Sequence, residues 1–142
     1  MRTRHEPPGN LVAAILEHRE RATAILRDPH AVAEVLGEAA KQAAPDRRLC
    51  ESLMPLGDFV RASVLGTYRA AEEEDVALAL AAAMYVASAW DLSPDHMPGG
   101  LQDDQRAVAW VHQQLAEPLV EFVAWQRAAA KRYRTVFSTR PR

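Results

Sequence analysis

The chain has 142 residues, 49% of them hydrophobic and 25% charged, which is enough to bury one core and ordinary for a globular domain. A formal net charge of −2 supplies no overall field to recruit nucleic acid or anionic membrane. Cys50 is the only cysteine, which excludes an intrachain disulfide framework and fits a reducing cytoplasm. Among the basic residues only Lys41 and Lys131 are lysines, and with the abundant alanine this points to a GC-rich bacterial genome.

Residues 1–10 read as a disordered lead-in, with Pro7, Pro8 and Gly9 as breakers. Asn10 is the expected cap of a first helix over 11–27, whose stripe is Leu11, Ile15, Ala22 and Leu26. Asp28-Pro29 is an N-cap followed by proline at the first helical position. It predicts a second helix over 29–43 that buries Val32, Val35, Leu36 and Ala39. Pro45 restarts the chain. Leu49, Leu53 and Leu56 then share a stripe continued by Phe59, Val60 and Val64. Pro55 predicts either a kink in this helix or a split into two.

The acidic run Glu72-Glu73-Glu74-Asp75 suits a helix N-terminus, where the backbone dipole favours negative charge. The next segment, 75–89, is apolar nearly all round, which predicts a buried central helix. The longest uncharged apolar run, Val76 to Trp90, falls short of the roughly 20 residues that a membrane span requires. A loop is expected over 90–102 and a fifth helix from Asp103, ended or kinked at Pro118. A last segment over 118–136 should turn Leu119, Phe122, Val123, Tyr133 and Val136 inward before a basic tail over 138–142. No strand-like alternation or fixed-period repeat is visible. The expectation is an all-α bundle of five to six helices, a single domain over 11–137.

Chemistry concentrates between Asp91 and Asp104. Asp104, Val108, Val111 and Leu115 share one helical stripe, so Asp104 should be buried near the start of its helix. A buried carboxylate costs several kcal/mol unless it is paired or hydrogen-bonded, roughly. Asp103 is the expected N-cap of the same turn. Asp91 follows the end of the preceding helix, where the dipole disfavours its charge, so a turn hydrogen bond, an arginine or a metal must hold it. Pro94 fixes the backbone just before Asp95 and His96.

Three readings stay open. The aspartates brace a tight helix–loop–helix; or Asp91, Asp95, His96, Asp103 and Asp104 form a polar ligand site; or the loop docks a partner protein. For a metal, Asp91, Asp95 and Asp104 would suit Mg²⁺ or Ca²⁺, and a first-row ion would add His96. The spacing matches no EF-hand loop and no HExxH helix.

The pattern Tyr85-Val86-x-Ser88-x-x-Asp91-Leu92-x-Pro94-Asp95-x-x-Pro98, with a glycine link to Asp103-Asp104, resembles the YkvA-like family, a domain of unknown function. The likeness covers about Asp75 to Leu115, and the Asp-Leu-x-Pro-Asp-x-x-Pro core is its most specific part. Here Ala89-Trp90 replaces the usual proline–hydrophobic step, and Ser93 with His96-Met97 makes the loop more polar. The resemblance implies a helical hairpin around the aspartate loop, and it brings no catalytic activity.

Elsewhere the signals are weaker. His18 borders the stripe of the first helix, as a core-edge histidine would. His30 sits in a helix first turn, His112 should be exposed, and Cys50 should be a buried thiol. Trp90, Trp110 and Trp125 read as core. Gly99-Gly100 lacks the lysine of a phosphate loop, and no Gly-x-Ser-x-Gly elbow is present. The basic C-terminal series reads as helix-end charge and solvated tail, so nucleic acid is not an expected partner.

The expectation is a soluble cytoplasmic helical binding or regulatory module, with a protein partner or a second copy and no resident cofactor. The rival is a divalent-cation protein or metal-dependent hydrolase using the same aspartates.

Overall fold

A computed structural model describes residues 9–92 and 100–138. Six helices follow in order: α1 (Gly9–Ile25), α2 (Pro29–Ala43), α3 (Arg47–Leu65), α4 (Glu73–Leu92), α5 (Gly100–Gln114) and α6 (Ala116–Ser138). There is no strand among the described residues. The molecule is an all-α bundle, as the apolar periodicity predicts.

α4 is the axis of the bundle. Val76 through Ala83 are all buried, so every side of the helix is covered over that stretch. α1, α2, α3 and α5 pack around it. Five of those eight residues are alanines, which lets the surrounding backbones come close. Each neighbour contributes most of the stripe read from its sequence, although Leu26, Val35 and Val64, expected in those stripes, are only half-buried. α1 buries Leu11, Ile15 and Ala22, and α2 buries Val32, Leu36 and Ala39. α3 buries Leu49, Leu53, Leu56, Phe59 and Val60, and α5 buries Val108, Val111 and Leu115.

Polar devices fix the connections. The Asp28 carboxylate accepts the Ala31 N–H at 3.2 Å and caps α2. The Asp46 carboxylate caps α3 through the Leu49 N–H at 3.2 Å and also accepts from the Gln105 side chain of α5. Gly66 ends α3 in the left-handed region, φ 81°, where a side chain would be strained. Just beyond it the Tyr68 N–H reaches back to the Ala62 carbonyl at 3.1 Å. Phe122 and Trp125 of α6 then pack with Phe59 and Tyr68, ring centroids 5.0–6.2 Å apart.

Several boundaries differ from the sequence reading. α1 begins at Gly9, so Asn10 lies within its first turn and is not its cap. The structure of residues 1–8 and 139–142 falls outside the described set, and with it the expected lead-in and most of the basic tail. Pro55 sits inside one continuous α3 and does not split it. The break before α6 comes at Leu115, and Pro118 belongs to the first turn of α6, where a missing N–H leaves no helical bond unmade. Leu119 and Phe122 point inward, whereas Tyr133 is 66% exposed because the helix has by then passed the aromatic cluster. Val136 lies outside the residues whose side chains are described.

Asp46 serves both a cap and a cross-helix bond. Asp46→Ala should therefore lower unfolding free energy by about 1–2 kcal/mol, and Asp28→Ala, which removes a cap alone, by about 1 kcal/mol or less. Urea unfolding of the two variants checks the order; an equal loss would mean that the Gln105 contact contributes nothing.

Candidate functional site

The first turns of α5 and the last turns of α4 meet at one end of the bundle. α5 begins at Gly100, earlier than the aspartate pair suggests. Asp103 is consequently a first-turn residue and not the N-cap, and its carboxylate faces the Arg106 guanidinium across 3.8 Å at an exposed position. A carboxylate there is still favoured by the dipole. The expected loop over 90–102 is also shorter, since α4 runs to Leu92 and takes Asp91 into its last turn. The Asp91 side chain, Asp95 and His96 lie outside the described residues.

Asp104 is 0% exposed and is the one buried charged side chain among the described residues. Its place on the stripe with Val108, Val111 and Leu115 puts it at the rim of the apolar core. Beside it on α4 is Tyr85, also buried. Burial pushes the Tyr85 hydroxyl up to about 12, and the negative charges of Asp103 and Asp104 add to the effect. The phenol is therefore held neutral, with its proton available as a donor.

One turn on, Ser88 faces α1. Its hydroxyl donates to the Met84 carbonyl at 2.9 Å, and its oxygen lies 3.4 Å from His18 Nε2. The other ring nitrogen, Nδ1, is buried without a hydrogen-bond partner among the described residues. The imidazole meets Tyr85 edge-on, centroids 6.3 Å apart. Burial holds the His18 pKa below its usual 6.5; Arg21 lowers it further and Glu17 opposes. A cavity of about 250 Å³ opens here between His18, Arg21, Val35, Met84 and Ser88.

Ser88 is engaged with a helix carbonyl, and among the described residues no carboxylate orients His18 Nδ1 as the third member of a hydrolytic triad would. Among the described residues no three His, Cys, Asp or Glu side chains are grouped to hold a metal. No described helix is long and apolar enough to cross a membrane.

The remaining candidates occupy structural roles. His30 pairs with Glu34 at 3.0 Å on the surface. His112 is half-buried, contrary to the exposed position expected, because its Nε2 reaches the Ser52 carbonyl at 2.6 Å just before Pro55. Cys50 is half-buried where a buried thiol was expected, and it donates to the Ala43 carbonyl at 3.1 Å. Trp110 and Trp125 pack against the core, and Trp90 is outside the described side chains. The pairing of His18 with Ser88 is not visible in sequence, although Tyr85 and Ser88 stand out as hydroxyls on an otherwise apolar helix.

No family model, curated protein or solved structure matches this chain.

Two outcomes check the site. Asp104→Ala should lower stability by about 2–4 kcal/mol, because it leaves buried groups around a removed carboxylate, and Asp103→Ala by less than about 0.5 kcal/mol. Equal losses in urea unfolding would contradict the contrast in burial. His18 binds its proton less readily folded than unfolded, so stability should fall as pH drops below about 6.5. Between about pH 7.5 and about pH 5.5 the urea midpoint of His18→Gln should move less than that of the parent chain.

Proposed function

We propose that this chain is a cytoplasmic helical binding module of the YkvA-like kind, which recognises a protein partner through the junction of α4 and α5. Asp91, Asp95, His96 and Asp103 are the polar groups offered to that partner. Asp104 braces the turn from beneath. The observation that supports this reading is the complete burial of Asp104 just after the first turn of α5. A buried charge weakens a small core unless its surroundings are built for it. Its value here is geometric: it lies buried near the start of α5 and close to Tyr85, with Asp103 exposed beside it. The motif resemblance over Asp75 to Leu115 favours the same end of the molecule.

The rival use of the same carboxylates is a divalent-cation site, and one experiment separates the two. Native mass spectrometry of the purified full chain, with and without chelator, reports bound metal and the number of copies together. Affinity capture is then compared between the parent chain and the Asp91→Asn/Asp95→Asn and Asp103→Asn variants. The proposal expects a bare mass and one set of captured proteins lost by the variants at unchanged melting temperature. A chelator-sensitive metal mass, or capture indifferent to all three substitutions, overturns it.

A further inference from the structure

α6 carries a second surface that the core does not use. Leu119 and Phe122 are buried, while Val120 is 70% exposed and Ala124 is exposed as well. Leu119, Val120, Val123 and Ala124 border an open groove of about 620 Å³ whose other wall is Pro55 of α3 and His112 of α5. The His112 bond to the Ser52 carbonyl pins that wall in place. Leu119, only 8% exposed, lies at the base of the groove, so its apolar surface is recessed. Arg127 lines one end.

Val120, Ala124, Arg127 and Lys131 follow one another at helical spacing, so one face of α6 passes from apolar to basic along its length. Arg127, Lys131 and Arg132 are all exposed. From Arg127 onward the sequence contains no carboxylate, although the whole chain has a net charge of −2. Glu117 and Glu121 of α6 do not line the groove.

We propose that this groove docks an acidic amphipathic helix from a partner protein. Apolar side chains of that helix, spaced i, i+3 or i+4 and i+7, pack against Val120, Ala124 and Pro55. Its carboxylates face Arg127, the cation that lines the groove. Shape and charge choose this occupant. A helix about 10 Å across can settle into a concave site between helices, whereas a bilayer surface would meet the rim and leave the base uncovered. A nucleic acid would meet an apolar floor where it needs phosphate contacts. The basic end selects for acidic charge and gives the association its salt dependence.

The test uses the full chain, immobilised, to select from a displayed library of helical peptides with leucine fixed at i, i+3, i+4 and i+7 and all other positions randomised. Selected peptides are then measured by fluorescence anisotropy. Acidic peptides should be enriched. Val120→Asp should weaken them by about tenfold or more, and Arg127→Glu should abolish the preference for acidic sequences. Both substitutions are at exposed positions, and unchanged helical content and melting temperature establish that the variants are folded. Asp103→Asn, at the opposite functional surface, should leave this binding unaltered, so failure here is separable from failure at the α4–α5 junction. Enrichment without acidic bias, binders indifferent to Val120→Asp, or binding only to phosphatidylserine vesicles would each overturn the proposal.

Discussion

The structure depends on covering α4. A helix that is apolar on all sides cannot lie at a surface, and between Val76 and Ala83 it offers no polar side to water. Four helices are therefore needed around it, and each must supply an apolar stripe of the right length. The alanines make this possible by allowing neighbouring helices to come near the axis. They also remove specificity, because methyl groups distinguish poorly between one packing register and another. Register has to be set elsewhere, by larger side chains and by polar contacts at the helix ends.

Those contacts are distributed at the margins of the bundle. Asp46 joins the start of α3 to Gln105 of α5, and His112 joins α5 to the turn of α3 that precedes Pro55. α3 and α5 are thus fixed to each other at two heights without a charge in the apolar centre. The two ends of α4 carry its polarity. At its start Asp75 is pushed above the ordinary carboxylate range, by burial first and then by Glu72 and Glu74. Toward its other end Tyr85 and Ser88 meet His18 and lie near the buried Asp104. The concentration of buried polarity near the α4–α5 junction follows from the axis helix having no other place to put it.

The bundle class, the apolar stripes and the burial of Asp104 were legible because helical periodicity is a local property. Asp104, Val108, Val111 and Leu115 needed only their spacing. The Asp28 cap and the start of α2 at Pro29 were equally local. What escaped were contacts between residues far apart in sequence. His112 looked exposed because its partner, the Ser52 carbonyl, belongs to another helix. His18 could be placed at the core edge, but nothing in α1 announced Ser88. Tyr133 was assigned inward by extending the stripe of Leu119 and Phe122, yet a stripe has a burial partner only as far as the neighbouring helices reach. Proline misled in the opposite sense: Pro118 was read as an end, although the first turn of a helix tolerates it without loss.

α6 follows from the same geometry. The axis helix is already enclosed by four neighbours, so α6 packs mainly against α3 and α5. A helix in an outer layer needs only one buried stripe, and the aromatic contact of Phe122 and Trp125 with Phe59 and Tyr68 supplies it. The adjoining face, with Val120 and Ala124, is left over, and only an outer helix could carry it without exposing the core. Asp103 and Asp104 stand near the start of α5, and Arg127, Lys131 and Arg132 are exposed along the later turns of α6. A small bundle built on one covered axis can in this way present two chemically distinct surfaces while its core remains undisturbed.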